Sequence, residues 1–296
     1  MSNLIRQMGH VVIGSPDPEG AAKHLSDVTG VRVTDRDGDT VYTSSNERHH
    51  EVTYVPGNGE VIAMGLEVIN AAALDTIYER AKSDGLQILS DQPIGPHYDR
   101  ALRLVAPGGS VFELHTPIAA NQTARYIGGG GARPKRIEHV NFWTPQIAAF
   151  KEFLEGVLGM ELSDKTSDEV GHWYRAADGY HHCVAVLGTD ELRFHHYAFD
   201  HNSLYDLQRI ADNLHVLDEA MAYGPGRHGA GDNIFTYYLD PHGCLVENST
   251  EMAHIDHWEP SVWDVSAGMA AKWINKWGTP PPPVFDTAGI PFAKTD

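Results

Sequence analysis

The sequence predicts an α+β fold made of four βαβββ modules, arranged as two barrel-like domains. Two observations carry that prediction: short strand-like runs are followed by amphipathic helical stretches, and whole motifs recur along the chain. Module starts fall near residues 6, 61, 136 and 191 of the 296. Mixed helix and strand, with strands alternating in polarity, argues against a parallel doubly wound sheet.

The first and third modules correspond. Arg6-Gln7-Met8-Gly9-His10-Val11-Val12-Ile13 and Arg136-Ile137-Glu138-His139-Val140-Asn141-Phe142 each carry one histidine before an apolar run, and each leads into a proline turn and a helix. In the third module Thr144 is the predicted cap and Pro145 the first helical residue. Ile147, Phe150, Leu154 and Val157 then share a face, and Gly159 stops the helix.

The second and fourth modules also correspond. Ile62 to Val68 precedes a helix with Leu74, Ile77, Tyr78 and Ala81 on one face; Leu192 to Phe199 precedes one with Leu204, Leu207 and Ile210. Each ends in a turn and a last strand, six positions separating Pro107 from Glu113 and Pro241 from Glu247.

Residues 1–120 are therefore expected to form an N-terminal pair of modules, and residues 136–296 a C-terminal pair with a tail. The linker, 121–135, contains Gly128-Gly129-Gly130-Gly131 and Pro134. That glycine run lacks a following Lys-Ser/Thr and precedes a strand, so it reads as a spacer, not a phosphate loop. The tail carries Trp258, Trp263, Trp273 and Trp277, too aromatic for disorder, and should pack over the C-terminal half.

Composition excludes several functions. Acidic residues outnumber basic ones 40 to 22, a formal charge of -18, which argues against nucleic acid or an anionic membrane surface as partner. No apolar run reaches about 18 residues, and Met1 to Arg6 has no signal-like pattern. Cys183 and Cys244 are too few for a disulfide scaffold or a thiolate zinc site. A soluble, cytoplasmic protein is expected.

The anomaly is histidine, with 18 copies. His139, His196 and Glu247 stand on three separate strand-like runs. Two neutral imidazoles and one carboxylate can hold a divalent iron on one face and leave the opposite face open. The duplication acts as an internal control: His10 matches His139, Glu113 matches Glu247, and Gly65 reads as the counterpart of His196. The N-terminal half thus lacks a third ligand, and one metal site is expected, in the C-terminal half. His254-Ile255-Asp256-His257 reads as a surface turn.

Gly226-Arg227-His228, Tyr237, Asp240-Pro241, Gly243 and Glu247 resemble the extradiol ring-cleaving dioxygenases of the vicinal oxygen chelate superfamily. That family's signature places a tyrosine nine positions after a histidine, then Asp/Asn-Pro, a glycine, and a ligand glutamate ten positions after the tyrosine. Thr236 departs from it, standing where an aliphatic residue or Phe is usual. The resemblance covers roughly residues 6 to 250.

It implies a vicinal oxygen chelate (glyoxalase/bleomycin-resistance-like) fold. It also implies meta cleavage of a catechol-type diol by dioxygen in aromatic catabolism, Fe(II) or Mn(II) as cofactor, and a homo-oligomer of four or more subunits. Carried across by position, it makes His139, His196 and Glu247 the metal ligands and His182 the acid–base residue. His228 and Tyr237 would hydrogen-bond the substrate oxygens, and His181 and His195 would face away if the strands alternate. The pocket wall is expected around Trp173, Tyr174, Phe194, Phe235 and the tail aromatics, suiting an apolar or aryl substituent. Arg6, Arg136 and Arg193 stand near the motif strands and leave a carboxylated catechol open. The rivals are a glyoxalase-like metal isomerase or epimerase, usually with two carboxylates and no need of His182, and a short small-molecule-sequestering protein without a complete triad.

Overall fold

The repeat is visible in how the strands pair. The protein is described by a computed structural model covering residues 3–95, 97–121, 133–255, 259–268 and 271–295. The first module runs β1 (Ile5–Ser15), α1 (Pro18–Thr29), β2 (Arg32–Asp37), β3 (Thr40–Ser44) and β4 (Val52–Pro56). The second runs β5 (Glu60–Val68), α2 (Ala71–Ser83), β6 (Ile88–Ser90), β7 (Ala101–Val105) and β8 (Val111–His115). Together they make an eight-stranded sheet in the order β2-β3-β4-β1-β5-β8-β7-β6.

The third module begins with β9 (Arg136–Thr144) and α3 (Ile147–Glu152), followed by β10 (Glu161–Thr166), β11 (Gly171–Arg175) and β12 (Val184–Gly188). The fourth has β13 (Arg193–Asp200), α4 (Leu204–Val216), β14 (Tyr223–Arg227), β15 (Ile234–Leu239) and β16 (Leu245–Thr250). From the tail, β17 (Ser261–Trp263) adds a ninth strand, giving β14-β15-β16-β13-β9-β12-β11-β10-β17, and α5 (Pro283–Thr287) follows. In each sheet the first strand of one module pairs antiparallel with the first strand of the next. Each module's first strand also pairs parallel with its last.

Local chemistry sets the helices, with three departures from expectation. The Asp17 side chain accepts from the Gly20 N–H and Pro18 opens α1, which Gly30 closes at φ +76°. The third helix starts at Ile147, not Pro145. Thr144 Oγ1 accepts from the Gln146 N–H at 3.2 Å and so holds a turn ahead of the helix. After Glu152 the chain widens into one π-helical turn, Phe153–Val157, which brings Phe153 into the core beside Phe150, Leu154 and Val157. In α4, Leu204 lies in the first turn and is 45% exposed; the buried face is Leu207, Ile210 and Leu214.

One continuous apolar cluster runs through both halves. Phe112 of β8 meets Phe142 of β9 at 6.3 Å between ring centroids and Phe153 at 5.5 Å. The tail returns across the joint, Ile290 bridging to Phe194 and Phe292 to Val61. Residues 122–132, with the four glycines, lie outside the described residues, as do Asp256, His257 and Trp258. No helix among the described residues is long and apolar enough to cross a membrane.

The register corrects one assignment. His10 and Glu113 both stand opposite Gly65, and His139 and Glu247 both stand opposite Ala198, so Gly65 corresponds to Ala198. His196, opposite Asn141, corresponds to Ala63, opposite Val12. The two assignments differ by two residues, a shift that keeps the same strand face and leaves the polarity pattern unchanged. Gly65 has its own reason: a Cβ there would lie 2.3 Å from the His10 ring.

Candidate metal centre

Strands β9, β13 and β16 are neighbours, and each contributes one donor to a common point. His139 Nε2 lies 3.3 Å from His196 Nε2 and 3.1 Å from Glu247 Oε2, and His196 Nε2 lies 3.2 Å from the same oxygen. All three side chains are buried. Metal–donor bonds of about 2.1 Å at right angles put neighbouring donors about 3.0 Å apart. The observed triangle is close to that size. Among the described residues one other set of potential ligands clusters, Asp35, His49 and His97.

The outer ring nitrogens leave the inner ones free. His139 Nδ1 donates to Glu138 Oε2 at 3.1 Å, and His195 Nε2 donates to the Phe285 carbonyl at 2.7 Å. The His195 Nδ1 is then an acceptor, and the His196 Nδ1 proton points at it across 2.7 Å. His196 thereby presents a bare Nε2 to the shared point, and His139 does the same once the proton it shares with Glu247 is displaced, the arrangement a metal ligand needs.

Charge at this point is concentrated. Burial alone lowers His139, but the Glu247 carboxylate, with Glu138 behind, raises it to about 9. Burial pushes His196 down to about 4 despite Glu247. Glu247 is itself held well below the usual carboxylate range, because His139 and then His196 outweigh its burial. Without metal, a proton on His139 takes the cation's place.

A cavity opens onto the three donors. His182, His228, Tyr237 and Asn141 line it together with Trp143, Trp173 and Leu187 and with Trp273, Ile274 and Phe285 of the tail, the Trp173 and Trp273 rings meeting edge to face at 5.5 Å. Trp173 and Tyr237 stand on strands near opposite ends of the sheet, so the sheet curls around this space. His182 lies against His139, ring centroids 4.4 Å apart, and burial holds it neutral, well below its usual value. The Tyr237 hydroxyl donates to Glu247 Oε2 at 2.7 Å and lies 3.0 Å from His228 Nε2. Burial and the Glu247 charge raise the Tyr237 phenol well above its usual value. His228 donates from Nδ1 to the Ile274 carbonyl at 2.5 Å, and burial lowers it.

Three expected wall residues lie elsewhere. Tyr174 alternates with Trp173 onto the opposite face, where its hydroxyl donates to Glu155 at 2.7 Å. A β-bulge between Phe194 and His196 resets the alternation of β13, leaving Phe194 in the core against Phe292. Phe235 is covered by the His228 ring, stacked at 3.9 Å. The same bulge keeps His195 from facing away: it lines the cavity and stacks on Trp143. His254 packs on the Tyr180 ring at 4.2 Å.

A family model described as the glyoxalase/bleomycin resistance protein/dioxygenase superfamily matches residues 7–114 and again 136–248. The chain belongs to this superfamily. Within it, the chain is similar to the manganese-dependent 2,3-dihydroxybiphenyl 1,2-dioxygenase of Geobacillus genomosp. 3, 25% identical over 317 residues that cover 97% of this chain and 99% of that protein. Metapyrocatechase 2 of Cupriavidus necator is 27% identical over 180 residues, 61% of this chain and 52% of that one. Among solved structures, homoprotocatechuate 2,3-dioxygenase of Arthrobacter globiformis has the same superfamily fold. It superimposes with a TM-score of 0.88 over 99% of this chain and 94% of that chain, at 24% identity.

The sequence held one further repeat that motif matching passed over. His49-His50 before β4 and His181-His182 before β12 occupy the same register, since Val52 pairs with Val11 as Val184 pairs with Val140. Two His-His pairs, each followed one residue later by a strand valine, were the available signal.

Proposed function

We propose that the protein cleaves a catechol-type diol beside its two hydroxyls, an extradiol dioxygenase reaction, with a mononuclear divalent metal, iron or manganese, held by His139, His196 and Glu247. The observation that carries it is the triangle of three buried donors, 3.1 to 3.3 Å apart, at the floor of an aromatic-walled cavity. The named activities of the similar proteins are extradiol cleavages of the same kind. When bound, the metal supplies Lewis acidity toward a diol oxygen and a path for electrons between a closed-shell ring and triplet oxygen.

The chain's own groups do the rest. His182, neutral through burial, takes a hydroxyl proton on its ring and later returns it. Tyr237 stays protonated, and with Glu247 committed to a metal its hydroxyl would be free to turn from that carboxylate and donate to a substrate oxygen that gains negative charge. His228, fixed by the Ile274 carbonyl, orients Tyr237. The aromatic walls exclude water and hold the ring in plane.

The cavity also narrows the substrate. None of the described residues lining it is Lys or Arg. Arg6 pairs with Glu67 at 3.4 Å, and Arg136 pairs with Asp178 at 2.6 Å beneath the Tyr180 ring. Arg193 lies on Trp143 and donates to the carbonyls of Asp286 and Thr287. A carboxylate buried here would find no lysine or arginine to pair with, so the favoured diol carries an uncharged, apolar substituent. Two free buried thiols, Cys183 and Cys244, suit a reducing cytoplasm.

The test is oxygen uptake by metal-loaded protein across methyl-, phenyl- and carboxyl-substituted catechols. Uptake matched to diol consumed, with both atoms of labelled oxygen in the product, is expected. Metal-replete protein that consumes no oxygen with any diol would overturn the proposal.

A further inference from the structure

We infer that Asp164 and His181 are positioning residues that fix the tautomer of His182, so that its ring presents a bare Nε2 to the reacting diol. This rests on the acid–base role given to His182 above. A carboxylate can only accept, and Asp164 is surrounded by donors. Its Oδ2 lies 3.1 Å from His181 Nε2 and 2.6 Å from the Trp263 indole N–H, while Oδ1 takes the Ser261 N–H at 3.3 Å. His181 therefore carries its proton on Nε2.

The consequence passes along one more bond. A neutral imidazole has one ring proton, so His181 Nδ1 is an acceptor. It lies 3.0 Å from His182 Nδ1, and two lone pairs cannot face each other at that distance. With His181 carrying that single proton, the other proton sits on His182 Nδ1. His182 Nε2 is then an unprotonated base, and that ring lines the cavity beside His139. The diol O–H bond breaks as an N–H bond forms at this nitrogen. Without the carboxylate the chain could run in reverse, placing a proton on Nε2 and blocking the transfer.

The N-terminal half contains the same chain of contacts without the site. Asp35 Oδ2 lies 3.1 Å from His49 Nε2, and His49 Nδ1 lies 3.1 Å from His50 Nδ1. Asp35 stands opposite Tyr42 as Asp164 stands opposite Trp173. The copies differ in how the carboxylate is covered: the Asp35 side chain is 52% exposed, and that of Asp164 is 5% exposed beneath β17. The tail strand seals the carboxylate that faces the catalytic half.

The experiment combines nitrogen-15 NMR of histidine-labelled, Zn(II)-loaded protein with steady-state oxygen uptake by the iron-loaded enzyme. The His182 resonances, assigned from the His182→Phe spectrum, should show a protonated Nδ1 and a bare Nε2. In Asp164→Asn the proton should move toward Nε2. Its kcat should fall about ten- to a hundredfold, with metal content and KM within about twofold. Asp35→Asn, the same change in the other half, should leave kcat as it was. A wild-type His182 protonated on Nε2 overturns the inference, and that spectrum decides alone if Asp164→Asn does not fold. Full kcat in Asp164→Asn beside an inactive His182→Phe also overturns it and leaves the acid–base role standing. Full activity in His182→Phe removes the role itself.

Discussion

Metal should bind about tenfold more tightly for each pH unit between about pH 6 and 8, because it displaces one proton from His139. Burial lowers His139, but Glu247 at 3.1 Å and Glu138 on the other nitrogen raise it to about 9 in the metal-free protein. His196 is held near 4 and Glu247 well below its usual range, so one proton occupies the triad throughout that window. Exchanging it for a metal gives a slope of about one, or about a hundredfold over two pH units, about 3 kcal/mol, flattening as pH passes about 9. The sign is fixed by the raised value. The proton stabilises the metal-free fold fully below the ordinary histidine value of 6.5, and that contribution is lost as pH rises through about 9. Bound metal replaces it. Competition titrations of Mn(II) against a chelating indicator at several pH values measure the slope, and calorimetry in two buffers counts the protons released. Glu138→Gln removes one of the two carboxylates and should move the flattening toward neutrality. A slope near zero would refute the proton-for-metal exchange, and a slope near two would place a second proton on His196.

Four further variants test named contacts. His196→Ala should lose metal while circular dichroism stays native, since His139 and Glu247 remain paired at 3.1 Å. His182→Phe should keep metal and lose about a hundred- to ten-thousandfold in kcat, whereas Tyr237→Phe, which removes one hydrogen bond, should cost about 1 to 3 kcal/mol by oxygen uptake. Gly65→Ala should destabilise the fold by about 1 to 3 kcal/mol in urea titrations with metal content unchanged, because the new methyl meets the buried His10 ring.

The fold and the donor set were legible for one reason: they depend on period-two alternation and on short spacings within a strand or turn. His228, Tyr237 and Glu247 lie within twenty residues of each other, on β15, β16 and the chain just before them. What depended on irregularity was not legible. The bulge that turns Phe194 from the cavity adds no signature to the sequence, and neither does the π-helical turn that buries Phe153. The tail wall of Trp273, Ile274 and Phe285 arises from long-range return of the chain, which local patterning does not encode. The counterpart of His196 was misplaced because Ala63 and Gly65 share a face, and only strand pairing separates them.

The two halves show what sets the candidate metal centre apart from the other module pair. Both keep the histidine of the first strand, the glutamate of the last, and the Asp–His–His chain. In the N-terminal half Ala63 stands for His196 and Arg103 for Tyr237. Glu113 there is raised by burial to about 7, even with Tyr98 donating to it and Arg103 at 3.8 Å. His10 at 3.4 Å is itself pushed well down by burial and offers little positive charge. In the C-terminal half the second imidazole completes the set, and the equivalent glutamate stays ionised. A buried carboxylate that remains an anion needs a cation beside it, a proton on His139 or a metal in its place. The N-terminal half thus differs twice over: Ala63 stands for the second imidazole, and Gly9 precedes His10 where Glu138 backs His139, so no protonated histidine holds its glutamate ionised.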